Sequence, residues 1–204
     1  MRRSTRTMHR AVAEPAPLVA VLAAGGATRF GGGKLDALCA GKPVGQWVLD
    51  AVAGAGLAAG VIVVGEDPPQ FALASGWSLI VNHSAEAGLG TSLALAANHA
   101  QKADRDLLVL LADMPLITAA HLRELACQPG TSATVSGSTY AGVPALFHKC
   151  HLPQLEKSCG DRGAAAFLTS LIDLEHVQVD PAMLIDIDTP ADLARAEQIL
   201  LRRG

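Results

Sequence analysis

Aromatic side chains are scarce in this chain, at 3% of 204 residues. That argues against single-stranded nucleic-acid platforms, which stack bases on rings, and against an aromatic-rich β-sandwich. Charge of one sign is also lacking. Sixteen basic residues against 19 acidic ones leave a formal −3, so no broad field draws in a nucleic acid. Cys39, Cys127, Cys150 and Cys159 show no C-x-x-C spacing, so they read as reduced thiols rather than a disulfide framework. Neither His148 nor His151 has a paired-cysteine motif beside it, and a zinc cluster is not expected. Long apolar runs are missing too. The apolar, uncharged stretch Ala51 to Gly65 has 15 residues with four glycines, short of a membrane span.

What the chain does have is apolar bulk and glycine. At 50% hydrophobic it can build a core, which excludes a disordered protein. Its length suits one ordinary domain. Residues 1–17 hold Arg2, Arg3, Arg6 and Arg10 against Glu14. The apolar run that follows, Leu18 to Ala24, is broken by Gly25 and Gly26, so a secretory signal is not expected. We read 1–17 as a disordered leader, 18–204 as the domain, and the location as cytoplasmic.

Short apolar blocks alternate with helix-length segments. Leu18–Ala23, Val61–Val64, Ser78–Val81 and Leu107–Leu111 read as strands buried on both faces of a parallel sheet. Helices are expected over Val44–Ala55 after Pro43, over Leu89–Gln101, from a Thr118 cap to about Cys127, and over Gly163–Leu171 after Asp161. A last helix should start at Pro190, with Thr189 as its cap and Asp192 three residues on. Such alternation implies right-handed βαβ units. The expected fold is α/β: one domain with a doubly wound, mostly parallel, Rossmann-like sheet and its site at the strands' carboxyl ends. Thr131–Phe147, rich in Thr, Ser and Gly, should add a small antiparallel excursion.

Three motifs carry chemistry. Leu22–Lys34, LAAGGATRFGGGK, follows the first strand with five glycines between Gly25 and Gly33. Glycines let backbone N–H groups approach an anion, and Arg29 and Lys34 are the loop's charges. The segment is a phosphate cradle, yet it is neither a Walker P-loop nor a G-x-G-x-x-G fingerprint. Asp113-Met114-Pro115 places a carboxylate at the end of a buried strand, where one carboxylate plus substrate phosphates can hold Mg²⁺. Asp186-Ile187-Asp188-Thr189-Pro190 puts Asp186 and Asp188 on one side of an extended segment, and either could join Asp113 as a metal ligand. The simpler readings are a flexible hairpin, a turn and a helix cap, respectively.

LAAGGATRFGGGK resembles the signature L-A-A-G-x-S-x-R-M-G-x-x-K of the MobA-like nucleotidyltransferases. Thr28 departs from the usual arrangement around Ser, and Phe30 replaces Met. D-M-P and D-I-D-T-P follow in the family's order, and the resemblance covers roughly residues 18–202. It implies that Leu22, Ala23, Ala24, Gly25, Gly26, Arg29 and Lys34 wrap an NTP, with Arg29, Lys34 and Asp113 catalytic. It also implies that Asp113 and Asp188 hold Mg²⁺, Asp188 matching the ligand position better than Asp186. Asn82–Ser92 resembles the segment beside the base, through Asn82, Gly88 and Ser92, without the family's Trp. Gly142, Pro144, Asp161 and Arg162 fall in segments resembling the acceptor side, where Ala165 replaces an Arg. His83, His99, His121 and His176 read as surface or helix residues rather than members of a triad.

The resemblance implies nucleotidyl transfer. An acceptor phosphate attacks the α-phosphorus of an NTP, and pyrophosphate leaves. Ala24 resembles the cytidylyltransferase branch, where the guanylyltransferase branch carries L-A-G-G. The expected substrates are therefore CTP and the phosphate of molybdopterin, with a molybdoenzyme receiving the product, and no nucleic acid or membrane as partner. The alternatives are a GTP-dependent guanylyltransferase of the same cofactor, a sugar- or polyol-phosphate cytidylyltransferase, and a cofactor-binding maturation chaperone.

Overall fold

A computed structural model describes residues 15–25, 30–128, 134–136, 142–158, 160, 167–169 and 174–203. Gly26, Arg29, Asp161 and Arg162, most of the helix expected over 163–171, and the leader up to residue 14 lie outside the described residues.

Among the described residues, seven strands form one sheet in the order β5-β4-β1-β6-β8-β7-β9. These are β1 (Leu18–Leu22), β4 (Val61–Val64), β5 (Ser78–Val81), β6 (Leu107–Leu111), β7 (Thr134–Ser136), β8 (Ala145–Phe147) and β9 (Glu175–Val177). Strand β1 is the centre of the parallel part, pairing Ala20 with Val61 on one side and Leu18 with Leu107 on the other. Its continuous apolar sequence follows from burial on both faces. Val19 and Val21 point into one core with Ile62, Val64, Leu108 and Leu110. Leu18, Ala20 and Leu22 point into the other with Val61, Val63, Leu107 and Val109. The period of two thus fills two cores at once.

Helices close both faces. The first core is covered by α1 (Val44–Gly54), α2 (Gln70–Ala74), α4 (Ala119–Ala126) and α6 (Pro190–Arg203), and the second by α3 (Leu89–Lys102) and α5 (Leu152–Leu155). The helix ends follow the capping chemistry. Thr118 Oγ1 accepts the His121 N–H at 3.3 Å to open α4. At α6, Thr189 Oγ1 accepts the Asp192 N–H at 3.2 Å and Asp192 Oδ2 accepts the Thr189 N–H at 2.8 Å, a reciprocal capping box. His121 is buried on its helix, not at the surface. The expected excursion is present: β8 runs antiparallel to β6 and to β7. A hairpin of β2 (Leu38–Cys39) and β3 (Lys42–Pro43) precedes α1. Among the described residues, no helix is long and apolar enough to cross a membrane.

From β1 the chain moves outward to β4 and β5, then returns to place β6 on β1's other side. This reversal splays the segments leaving β1 and β6 apart at their carboxyl ends and opens a crevice there. The sheet tolerates little change beneath it. A Cβ on Gly60 would sit 2.0 Å from the Val19 carbonyl oxygen. We therefore expect Gly60→Ala to force β4 away from β1 and cost about 2 kcal/mol. Urea denaturation would measure it, and an unchanged midpoint would show that the strands can shift freely.

Candidate active site

The glycine loop leaves β1 at the crevice. Gly31, Gly32 and Gly33 take φ of +88°, +98° and +64°, a left-handed run that side chains disfavour and that glycine permits. The run turns the chain back so that Lys34 enters the protein, where it is buried. Leu35 anchors the turn in the core.

Lys34 Nζ lies 2.6 Å from Asp113 Oδ2 and 3.1 Å from Asp188 Oδ1. Asp113 arrives from the end of β6, Asp188 from the segment before α6. The Ile187 N–H donates to the Asp113 carbonyl at 2.9 Å and ties these two segments together. The Lys34 and Asp113 side chains are 10% and 17% exposed, whereas Asp188 is 51% exposed. Solvent therefore screens the Asp188 pair more than the Asp113 pair. Burial alone would push the Lys34 pKa down, but Asp113 and then Asp188 outweigh it and hold the ammonium above its ordinary range.

Asp186 joins this charge cluster. Ile187 between it and Asp188 is buried, while both carboxylates face outward, as the alternation requires. Asp186 keeps exposed surface, yet the surrounding protein strips enough water to raise its pKa, with Asp113 and Asp188 adding repulsion. Together they push it up to about 7, against the lowering pull of Lys34. Asp113 Oδ1 is buried and accepts no hydrogen bond. An unpaired buried carboxylate oxygen beside a second carboxylate suits a hard cation completed by substrate oxygens. Among the described residues there is no group of three or more His, Cys, Asp or Glu placed to hold a metal. Asp113 with Asp188 or Asp186 could supply the protein's ligands to such a cation.

The other sequence candidates fall around this centre. Ala23, Gly25 and Lys34 line a cavity of about 270 Å³ with Gly32, Gly33 and Asp67–Pro69. Leu22 ends β1, and its carbonyl accepts the Ala112 N–H at 3.0 Å. Ala24 lies on the same crevice edge, its carbonyl 3.8 Å from where a Gly65 Cβ would be. Asn82 is buried and its amide is committed locally. Its Nδ2 donates to Thr91 Oγ1 and Ser92 Oγ at 2.8 Å each, and its Oδ1 accepts the Ser84 N–H at 3.0 Å. Asn82 and Ser92 therefore shape the turn between β5 and α3. Gly88, at φ +106°, starts α3, and the Gly90 N–H donates to the Gly160 carbonyl at 2.9 Å. Gly142 and Pro144 are buried just before β8. Because Ala145 pairs with Val109, they lie level with the carboxyl end of β6. The sequence reading passes over Asp36 and Asp67–Pro69. The Asp-Pro punctuation directly after a strand was the available signal.

The MobA-like NTP transferase domain matches residues 19–179. The chain belongs to that family. Two curated relatives align in part: the bifunctional protein GlmU of Agrobacterium fabrum, 34% identical over 115 residues, and the purine catabolism protein PucB of Bacillus subtilis, 31% over 125 residues. These alignments cover 53% and 57% of this chain but 25% and 59% of those proteins. Among solved structures, a nucleotidyl transferase from Methanothermobacter thermautotroptrophicus superposes with a TM-score of 0.77 at 21% identity, covering 93% of this chain and 99% of that one. The molybdopterin-guanine dinucleotide biosynthesis protein A of Archaeoglobus fulgidus gives 0.69 at 23% identity, over 90% and 98%. At these identities the likeness is one of fold. The Mycobacterium tuberculosis protein Rv0371c, solved as a complex with manganese, gives 0.68 at 25% identity, over 90% and 99%.

The raised Asp186 carboxyl has a measurable consequence. Between about pH 4 and 7 the native state holds a proton there that the unfolded chain has released, so stability falls as pH rises through that window. Urea melts across it should show the wild type losing stability relative to Asp186→Asn. Parallel curves would mean that the crevice does not hold the carboxyl up.

Proposed function

We propose that this chain is a nucleotidyltransferase that moves CMP from CTP to the phosphate of molybdopterin and releases pyrophosphate. The observation that carries the reading is the ion cluster at the crevice: Lys34 within 2.6 Å of Asp113 and 3.1 Å of Asp188, beside a glycine cradle. Family membership supports the transfer chemistry. Ala24 supports CTP. The named role of the Archaeoglobus relative supports a molybdopterin acceptor.

The chemistry asks little covalent work of the protein. An acceptor phosphate is already anionic and attacks the α-phosphorus without a general base. Rate then comes from alignment and charge neutralisation. The glycine loop presents backbone N–H groups to the triphosphate. The Lys34 ammonium, kept charged by the two carboxylates, can turn to the phosphate oxygens and offset the charge that builds as pyrophosphate leaves. Arg29, in the same loop, is placed by sequence for the same task. Asp113 and Asp188 would hold Mg²⁺, which when bound supplies Lewis-acid neutralisation of phosphate oxygens. Gly142 and Pro144 border the acceptor side, with Asp161 and Arg162 assigned there from sequence.

Pyrophosphate release with CTP, GTP and ATP on molybdopterin tests the assignment. CTP should turn over fastest, and equal or faster turnover with GTP would overturn the choice of base. Asp113→Ala should lower kcat at least about 100-fold while leaving the chain folded. Full turnover in that variant would contradict the site, and cofactor delivery retained without turnover would favour a chaperone.

A further inference from the structure

The segment from β4 to α2 faces the glycine loop across the 270 Å³ cavity, and one side chain ties the two together. Asp36, two residues past Lys34, accepts the Gln70 N–H on Oδ2 and the Phe71 N–H on Oδ1, at 2.8 Å each. Pro69, at the cap position of α2, makes no side-chain cap bond. The open N–H groups of that helix are therefore closed by a residue 34 positions earlier. Asp36 is itself held to the loop, because its N–H donates to the Gly33 carbonyl at 3.1 Å. The linkage closes through α1. A Cβ on Gly45 would meet the Phe71 ring at 2.4 Å, and the Gly45 N–H donates to the Leu35 carbonyl at 3.0 Å. A carboxylate suits the position because two adjacent N–H groups need two acceptor oxygens at once. With both oxygens occupied, its charge is directed at α2 rather than at an anion in the cradle.

We infer that Asp36 is a positioning residue for nucleoside triphosphate binding, fixing the gap between the glycine loop and the Asp67–Pro69 wall. The inference rests on the nucleotidyltransferase reading above. Asp36 acts through the Gly33 turn and the start of α2 and takes no part in the reacting atoms, so it governs affinity rather than the chemical step.

Calorimetric titration with CTP and steady-state kinetics on wild type, Asp36→Asn and Asp36→Ala test it, with thermal melts to verify folding. In Asp36→Ala, Kd and KM for CTP should rise about tenfold while kcat stays within about threefold. Asp36→Asn keeps one acceptor oxygen and should fall between. A lowered kcat at unchanged KM, the mark of a merely structural role, overturns the inference. So does wild-type affinity in both variants. If Asp36→Ala does not fold, unchanged affinity in Asp36→Asn overturns it alone. A wild type that binds no nucleoside triphosphate overturns the functional reading itself, whereas a wild type that binds while the variants bind equally well removes only Asp36.

Discussion

One buried ammonium holds the site together. Lys34 comes from the loop after the first strand, Asp113 from the loop after the sixth, and Asp188 from the entry to the last helix. Two distant parts of the chain bring like-charged carboxylates to one crevice, and the Lys34 ammonium from a third offsets their repulsion. Removing one partner of such a pair costs more than the pair contributes, because the remaining charge is left desolvated. The Ile187 to Asp113 backbone bond, the capping box of α6 and the bond from the Ala40 N–H to Glu197 fix the surrounding geometry. The last of these ties the C-terminal helix to the hairpin that follows Lys34.

The same constraint explains how a chain of net charge −3 suits a polyanionic substrate. Its negative charge is locally concentrated as Asp113, Asp186 and Asp188, with Asp186 pushed toward neutrality. The Lys34 ammonium lies against two of these carboxylates, next to the glycine turn. Few aromatic rings are needed where backbone groups and short side chains line the cleft.

Much of this was legible in the chain. The runs LVAVL, VIVV and LLVLL form the central strands because burial on both faces leaves no polar alternation. Thr118 and Thr189 open helices because their hydroxyls meet backbone donors a turn away. The loop Lys and the two Asp residues stand out locally, as a charge in a glycine loop and as carboxylates beside buried segments, but their pairing spans 79 and 154 positions and leaves no local pattern. What lay hidden was of that long-range kind. Asp36 looks like any polar residue after a loop until α2 arrives above it. Asn82 gives no local sign of the turn it holds until Thr91 and Ser92 fold onto it. The raised Asp186 carboxyl depends on how much water the crevice excludes, which only the packed walls determine.

The central claim, that Lys34 and Asp113 depend on each other, is tested most directly by a double-mutant cycle. Stability of wild type, Lys34→Met, Asp113→Asn and the double variant would be measured by urea denaturation. The account predicts a coupling of about 2 kcal/mol, with Lys34→Met alone less stable than the double variant. Losses that simply add would contradict it.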